Sequence, residues 1–320
     1  MSRLPLIFRR ALRAVVTTLA IWMPSAASAQ AQVLVPGTGR ALTEVGDDFE
    51  DPEWAYIPNN PKSSSDIDKQ VRAPIGRSSN GRWSEGTDRG HPDIVRRVTT
   101  PEGGLEGSSG ALLLASLWTG VPGRTSQKNQ QDDFFMNVDS RVGGYIPVSK
   151  GPSAVVRVYI PPFEEWERRN GASFGFRATL RGAKPGSNQT EPYWPGMFFQ
   201  FQPGRNGDDR AYFIVRAGER GQDFRGPDIQ ETGWWTLGMS FSPDGRVHYF
   251  ARPGVDDLTS ADHVASHHCY GFRARVFKTI FFDVFSANNG RDWSTPWIID
   301  DPTIYLADGS TLARTPRRGR

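Results

Sequence analysis

Residues 174–216, FGFRATLRGAKPGSNQTEPYWPGMFFQFQPGRNGDDRAYFIVR, decide the fold. They contain three runs in which large apolar residues alternate with other residues: Phe174–Leu180, Met197–Gln202 and Ala211–Arg216. Alternation with a period of two is typical of β-strands that bury one face. The segments between the runs are rich in Gly, Pro and Asn, which favour turns and loops. This stretch therefore predicts consecutive antiparallel strands.

The same pattern extends over most of the chain. Six further runs have β-rich composition: Ala111–Trp118, Ser153–Ile160, Trp234–Phe241, Val247–Ala251, Thr279–Ser286 and Trp297–Leu306. One short helix is predicted over Phe163–Arg169, where a Pro-Pro pair precedes the segment and Asn-Gly follows it. Strands in such number have to bury their inner faces against each other. The prediction is an all-β fold, a two-sheet antiparallel β-sandwich of the jelly-roll type.

The first residues have the form of a secretory signal peptide. They carry four arginines, an apolar run over residues 14–23 and small residues that end at Ala29. The run is too short for a bilayer, which needs about 20 apolar residues. We expect cleavage near Ala29, a secreted or periplasmic protein, and no transmembrane segment after cleavage. Residues 30–310 then form a single domain with long surface loops at 58–92 and 119–133, and residues 311–320 a disordered basic tail.

The charge balance argues against a nucleic-acid partner. The formal net charge of the whole chain is +3, but the signal segment and the last ten residues hold four arginines each. The body between them is therefore mildly acidic, whereas a nucleic-acid surface needs basic residues clustered on the folded domain. Cys269 is the only cysteine, so no disulfide can form within the chain. A monomer stabilised by its apolar core is expected.

Alternation also assigns polar residues to one face of the middle strands. If these strands are neighbours, Arg177, Gln200, Gln202, Tyr212 and Arg216 share one sheet surface. Planar hydrogen-bond donors beside an aromatic ring suit sugar hydroxyls and uronate carboxylates. The alternative is the ordinary polar outer face of a half-exposed sheet.

Two tryptophans belong to the same predicted glycan-binding surface. Trp194 lies in a loop between prolines, and Trp235 is adjacent to Trp234, so that one of the pair points outward. A flat apolar ring with a single N–H can stack on a sugar. The alternative is that large aromatic side chains fill the ends of the sandwich.

The two ends of the domain carry a family resemblance. The acidic segment at residues 47–51, followed by Trp54, and the run Ile298–Pro302 resemble the first and last strands of bacterial β-sandwich carbohydrate-binding modules. The length of the chain is closer to the related concanavalin A-like lectin/glucanase architecture. In the modules, carboxylates where these strands meet can hold a structural calcium. The resemblance therefore implies Asp48, Glu50 and Asp301 as candidate calcium ligands, against the alternative of solvated turn acids.

Three functions stay open from the sequence. The first is an exported glycan-binding protein without a catalytic motif, because the acidic cluster of concanavalin A-like glucanases is absent from the sequence. The second is a polysaccharide lyase or glycoside hydrolase of the same fold. Jelly-roll lyases place Arg, Gln, His and Tyr on a concave sheet, and Arg177, Gln200, Tyr212 and His248 match those types. Their glutamine-x-histidine strand motif appears here as Gln200-Phe201-Gln202, without the histidine. The third is a structural envelope protein.

Overall fold

The computed structural model describes residues 33–70, 72–124 and 131–307. Its strands, in chain order, are β1 (Arg40–Ala41), β2 (Tyr56–Ile57), β3 (Arg77–Ser78), β4 (Trp83–Glu85), β5 (Ile94–Thr99), β6 (Gly110–Ala115), β7 (Gln131–Met136), β8 (Ile146–Pro147), β9 (Pro152–Ile160), β10 (Gly171–Ala183), β11 (Glu191–Tyr193), β12 (Gly196–Gln202), β13 (Arg210–Arg216), β14 (Asp223–Ile229), β15 (Gly233–Phe241), β16 (Val247–Pro253), β17 (His263–His267), β18 (Arg273–Phe285) and β19 (Trp297–Leu306). One α-helix, α1 (Val138–Val142), lies within these residues.

The strands form two antiparallel sheets. The smaller has the order β17-β16-β15-β9-β19-β6-β5, with β1 paired to β19. The larger has the order β14-β13-β12-β10-β18-β7-β4-β3-β2, with β11 on β10 and β8 on β18. Neighbours in each sheet are often distant in sequence, as in a jelly roll, where long connections cross between the sheets. The predicted all-β sandwich is confirmed.

The core lies between the two sheets and is rich in aromatic rings. Phe174 and Phe176 of β10 both stack on Phe282 of β18, with centroids 5.7 and 5.8 Å apart. Trp297 of β19 reaches across from the smaller sheet and lies 5.0 Å from the ring of Phe174. The inward residues predicted by alternation are therefore those that fill the core. Without disulfides, this packing of bulky apolar side chains is the main source of stability.

The predicted helix over residues 163–169 is wrong in length and type. A single 3₁₀ turn, Phe163–Glu165, occupies its beginning, and the backbone becomes extended at Trp166. The indole of Trp166 packs on Trp297 at 4.8 Å, and Glu167 receives the amide of Ala287. These tertiary contacts hold the segment against the core and prevent further helical turns. The α-helix α1 was not predicted from the sequence.

Both predicted surface loops contain ordered structure. Residues 58–92 include β3 and β4, and Trp83 of β4 is fully buried. The segment 119–133 ends in β7, where Asp132 is buried and accepts a 2.7 Å bond from Lys62 Nζ. Polar side chains can be buried here because they are hydrogen-bonded to each other. A strand of this kind has no apolar alternation and is therefore not visible in the sequence.

The predicted signal peptide (residues 1–29) and basic tail (residues 311–320) lie outside the described residues, and both stay predictions. Within the described ranges, no helix has both the length and the apolar character that spanning a membrane requires.

Candidate functional site

The outer face of the larger sheet carries the polar residues that alternation assigned to one surface. Gln200 pairs with Tyr212, and Gly196 pairs with both Arg177 and Arg216 across neighbouring strands. The five predicted residues therefore share a face in two groups: Gln200, Gln202 and Tyr212 toward one end of the strands, and Arg177 with Arg216 toward the other. Gln202 Nε2 donates to the Tyr212 hydroxyl at 3.3 Å.

Both arginines on this face are already paired with carboxylates. Arg216 forms a bidentate ion pair with Asp223, at 2.8 and 3.0 Å. Arg177 is buried, and its Nη1 lies 3.1 Å from Asp283 Oδ2. Its Nη2 donates to the carbonyl of Trp194 at 2.8 Å. Arg177 therefore fixes the strand-to-strand geometry beneath the surface and anchors the Trp194 loop.

A groove of about 410 Å³ lies beside this group, also on the outer face of the larger sheet. One wall is the segment from Ser84 to Asp88, and the floor comes from β7, β10 and β18. Its lining includes the cations Arg181 and Lys278, the rings of Tyr145 and Trp194, the hydroxyl of Thr179, and the carboxyl groups of Asp133, Glu85, Asp88 and Asp139. We call this the sheet groove. Of these, Trp194 alone was named as a site residue from the sequence.

Two cations in the sheet groove have no acidic partner among the described residues. Arg181 Nη2 donates to the carbonyl of Thr190 at 3.0 Å, which leaves the rest of its guanidinium for other acceptors. Lys278 sits at an irregularity of the strand pairing, because Thr179 pairs with Thr279 while Leu180 pairs with Phe277. Such a bulge re-aims a side chain out of the regular alternation. This explains why alternation did not identify Lys278.

Polar atoms beneath the groove lack partners. The hydroxyl of Thr179 is buried and has no hydrogen bond, and neither has Nε of Arg177 nor Oδ1 of Asp283. Buried polar atoms are nearly always hydrogen-bonded in native proteins. The unpartnered hydroxyl of Thr179 lines the groove itself, so a ligand or water there would satisfy it.

Asp133 and Asp283 form a buried pair of acids at the floor. They lie directly opposite each other on β7 and β18, and both side chains are almost completely buried. Burial raises the pKa of Asp133 well above its usual range, and the neighbouring negative charge of Asp283 raises it further. Gln131 Nε2 donates to Asp133 Oδ1 at 2.9 Å, and this bond and the charges of Arg89 and Arg177 act on the pKa of Asp133 in the opposite direction. A carboxyl group of this kind in a cleft is suited to proton transfer.

Aromatic rings stand at the rim of the groove. Tyr145 is 47% exposed and Trp194 is 40% exposed, which is unusual for such large rings. Rings of this kind can stack on the apolar faces of sugars while their O–H or N–H groups bond to hydroxyls. Contact of Trp194 with a glycan stays a prediction.

Two predicted site residues lie elsewhere. Trp235 packs in the core against Phe213 at 5.3 Å, and its Nε1 donates to the carbonyl of Glu231. The outward member of that pair is Trp234. His248 lies in the smaller sheet, buried between Ser242 and Ser266 at 2.8 and 2.6 Å. Neither side chain can reach the sheet groove, so both assignments are wrong. A list of residue types does not reveal which sheet holds each residue.

Two of the three predicted calcium ligands, Glu50 and Asp301, are already bound by other protein groups, whereas Asp48 accepts the amide of Glu50. Both oxygens of Glu50 accept bonds from Ser109 and Gly110, and Asp301 is engaged by Arg157 at 3.0 Å and by Thr303. Within the described residues, no group of three or more His, Cys, Asp or Glu side chains could hold a metal ion. The resemblance implied that the first strand pairs with the last. This pairing is present, but the first strand is β1 (Arg40–Ala41) and not the acidic segment at residues 47–51. Calcium binding stays a prediction.

No known protein family matches the sequence, and no curated protein matches it. Similar solved structures include an alginate lyase from Pseudomonas aeruginosa, with 11% identity, a TM-score of 0.39, and 67% of this chain and 86% of that protein covered. An alginate lyase from Aplysia kurodai has 14% identity, a TM-score of 0.36, and coverage of 67% and 87%. A glucuronan lyase from the fungus Trichoderma reesei has 12% identity, a TM-score of 0.33, and coverage of 70% and 94%.

The two-sheet antiparallel jelly roll is confirmed by the strand order of the two sheets. The first function considered from the sequence, a non-catalytic glycan-binding protein, is corrected by these comparisons, because the similar structures are polysaccharide lyases.

Proposed function

We propose that this protein is a polysaccharide lyase that cleaves a uronate-containing glycan in the sheet groove. The observation that carries the proposal is the composition of that groove: two cations that form no ion pair within residues 33–70, 72–124 and 131–307 lie beside a buried carboxyl group whose pKa is raised, under a rim of exposed aromatic rings. Cations bind the uronate carboxylate, aromatic rings bind the sugar faces, and the carboxyl group exchanges a proton.

The reaction is a β-elimination. Arg181 and Lys278 neutralise the uronate carboxylate, which stabilises negative charge on the adjacent carbon in the transition state. A base removes the proton from that carbon, a carbon–carbon double bond forms, and the bond to the glycosidic oxygen breaks. The departing oxygen takes up a proton. The atoms balance without water or a cofactor, and the products are one new reducing end and one unsaturated uronate.

Asp133 is assigned the proton transfer. Burial and the neighbouring charge of Asp283 raise the pKa of Asp133 well above its usual range, and a carboxyl group of this kind can exchange a proton with the substrate. This assignment replaces the histidine of the jelly-roll lyases, which this sequence lacks at Gln202. The hydroxyl of Tyr145, at the rim, is the second group that could exchange a proton with the sugar oxygens.

The test is to incubate the purified mature protein with polymannuronate, polyguluronate, polyglucuronate and polygalacturonate. Formation of unsaturated uronate is followed by ultraviolet absorbance. Activity on at least one polymer is expected. Absence of product on all of them, together with absence of binding, would favour the structural envelope protein.

Lys278→Met is expected to lower kcat/KM on the cleaved polymer by about 10²- to 10³-fold, because an electrostatic contact to the developing charge is lost. The matched control is Lys184→Met, an exposed lysine outside the groove, which should retain wild-type rates. Equal rates for the two variants would refute the role of Lys278.

We propose that the mature chain is secreted or periplasmic, which would bring it together with an extracellular polysaccharide. Expression of the full-length gene in a bacterial host should give a mature protein whose first residue is Gln30. N-terminal sequencing of the exported fraction measures this. Recovery of the intact Met1 terminus from the cytoplasm would contradict it.

A further inference from the structure

A second cleft, of about 840 Å³, lies between the loop that connects β18 to β19 and the outer face of β5 and β6. Its apolar wall is formed by Ile94 and Leu113, and its other side by Trp166, Arg291 and Trp293. It shares no lining residue with the sheet groove. We call it the loop cleft.

Trp293 is 45% exposed in this cleft although the loop around it is firmly held. The amide of Ser294 donates to the carbonyl of Ser116 at 2.8 Å, and the amide of Ser116 donates back to Ser294 Oγ at 2.9 Å. On the other side, Asn289 Oδ1 accepts the amides of Arg291 and Asp292, each at 2.9 Å. The backbone around the indole is therefore already fixed. Binding of a ligand to Trp293 then costs little conformational entropy in the loop.

The chemistry of the loop cleft suits an acidic sugar. The indole and the wall of Ile94 and Leu113 offer flat apolar surface, against which the C–H face of a sugar ring can pack. Arg291 is exposed, and its guanidinium forms no ion pair within the described part of the chain. A guanidinium binds a carboxylate with two parallel hydrogen bonds. A sugar that carries a carboxylate can therefore pack its ring on the apolar surface and bind the guanidinium with its carboxylate.

The acids that line the loop cleft are Glu165, Glu167 and Asp292, of which Glu165 and Asp292 are exposed. Its buried acid, Glu167, receives the amide of Ala287 and lies 3.2 Å from Arg169 Nε. Both carboxylate oxygens are therefore engaged in holding the loop. Glu167 therefore connects Ala287 to Arg169, and the loop cleft is suited to binding a ligand.

We infer that the loop cleft is an accessory binding site for the uronate polysaccharide, separate from the site of cleavage, in which Trp293 stacks on a sugar ring and Arg291 binds its carboxylate. The identity of the glycan rests on the proposed function; the binding itself does not. An accessory site of this kind keeps the enzyme on the polymer between cleavage events and raises the local substrate concentration.

Affinity electrophoresis in gels that contain each uronate polysaccharide tests the inference, with affinity read from the retardation of the band. Trp293→Ala is expected to lower affinity for the bound polymer by about tenfold. Trp293→Phe should retain part of it, and Arg291→Gln should weaken both the affinity and its dependence on salt. Melting temperatures close to wild type establish that the variants are folded.

The matched control is Ile57→Ala, which removes an exposed apolar side chain outside both clefts and should migrate as wild type. Unchanged retardation of Trp293→Ala on every polymer would overturn the inference, whether or not the protein cleaves any of them. Retardation that depends on Trp293 in a protein that cleaves none would support the inference and refute the proposed lyase.

Discussion

Asp133→Asn is expected to reduce the rate of polysaccharide cleavage by about 10²- to 10⁴-fold, the usual contribution of a positioned proton-transfer group. The amide has nearly the same shape as the carboxyl group, so the groove and its cations stay in place. Steady-state rates with saturating polymer measure the effect. A variant that retains wild-type kcat would eliminate Asp133 as the proton-transfer group and direct attention to Tyr145.

The same substitution is expected to change how stability depends on pH. Burial and Asp283 raise the pKa of Asp133 in the folded state, whereas the unfolded chain has the ordinary value. The folded state therefore binds more protons, and its stability falls as pH rises from the ordinary pKa through the raised one. Asp133→Asn removes this contribution, so its unfolding free energy should fall less over that range. Parallel curves for wild type and variant in denaturant titrations at several pH values would contradict the raised pKa.

Arg177→Ala is expected to lower the free energy of unfolding by about 3–5 kcal/mol, because removal of one partner leaves a buried charge uncompensated. Asp283 is fully buried, and Arg177 is the cation paired with it. The substitution also frees the Trp194 loop and exposes the rings of Phe198 and Phe281, which the guanidinium covers at 5.4 and 5.0 Å. Chemical denaturation measures the loss.

Arg216→Ala is the matched control for this prediction. Arg216 lies on the same face, stacks on the same Phe198 ring at 4.8 Å and is also paired with an aspartate. Its ion pair with Asp223 is partly exposed, and such pairs contribute only about 0–1 kcal/mol. If the two substitutions lower the free energy of unfolding equally, burial does not explain the contribution of the Arg177–Asp283 pair to stability.

Much of the fold follows from local pattern. Alternation over Phe174–Leu180 and Met197–Gln202 assigns inward and outward residues correctly, because a strand has a strict period of two and one face has to be apolar. The same logic fails at β7, where the buried sequence is Gln-Asp-Asp, and at Lys278, where a bulge interrupts the period. In both places, specific partners determine the structure and composition gives no signal.

The candidate site was predictable only in part. The polar face that holds Arg177 was visible in the sequence, but its arginines turn out to be paired, and the groups free to act lie beside them in the sheet groove. Asp133 comes from a segment predicted as loop, and Tyr145 lies just before β8. His248 and Trp235 match the residue types of a glycan site, yet one lies in the opposite sheet and the other in the core.

The sequence by itself determined the sandwich, the orientation of the middle strands and the mildly acidic body between two basic ends. Each of these depends on properties of neighbouring residues: alternation, turn composition and charge. Only the tertiary structure decided which carboxyl groups meet and which cations lack partners. The pairing of Asp133 with Asp283 joins residues from β7 and β18, far apart in the chain, and the pKa of Asp133 is raised by that burial and proximity alone.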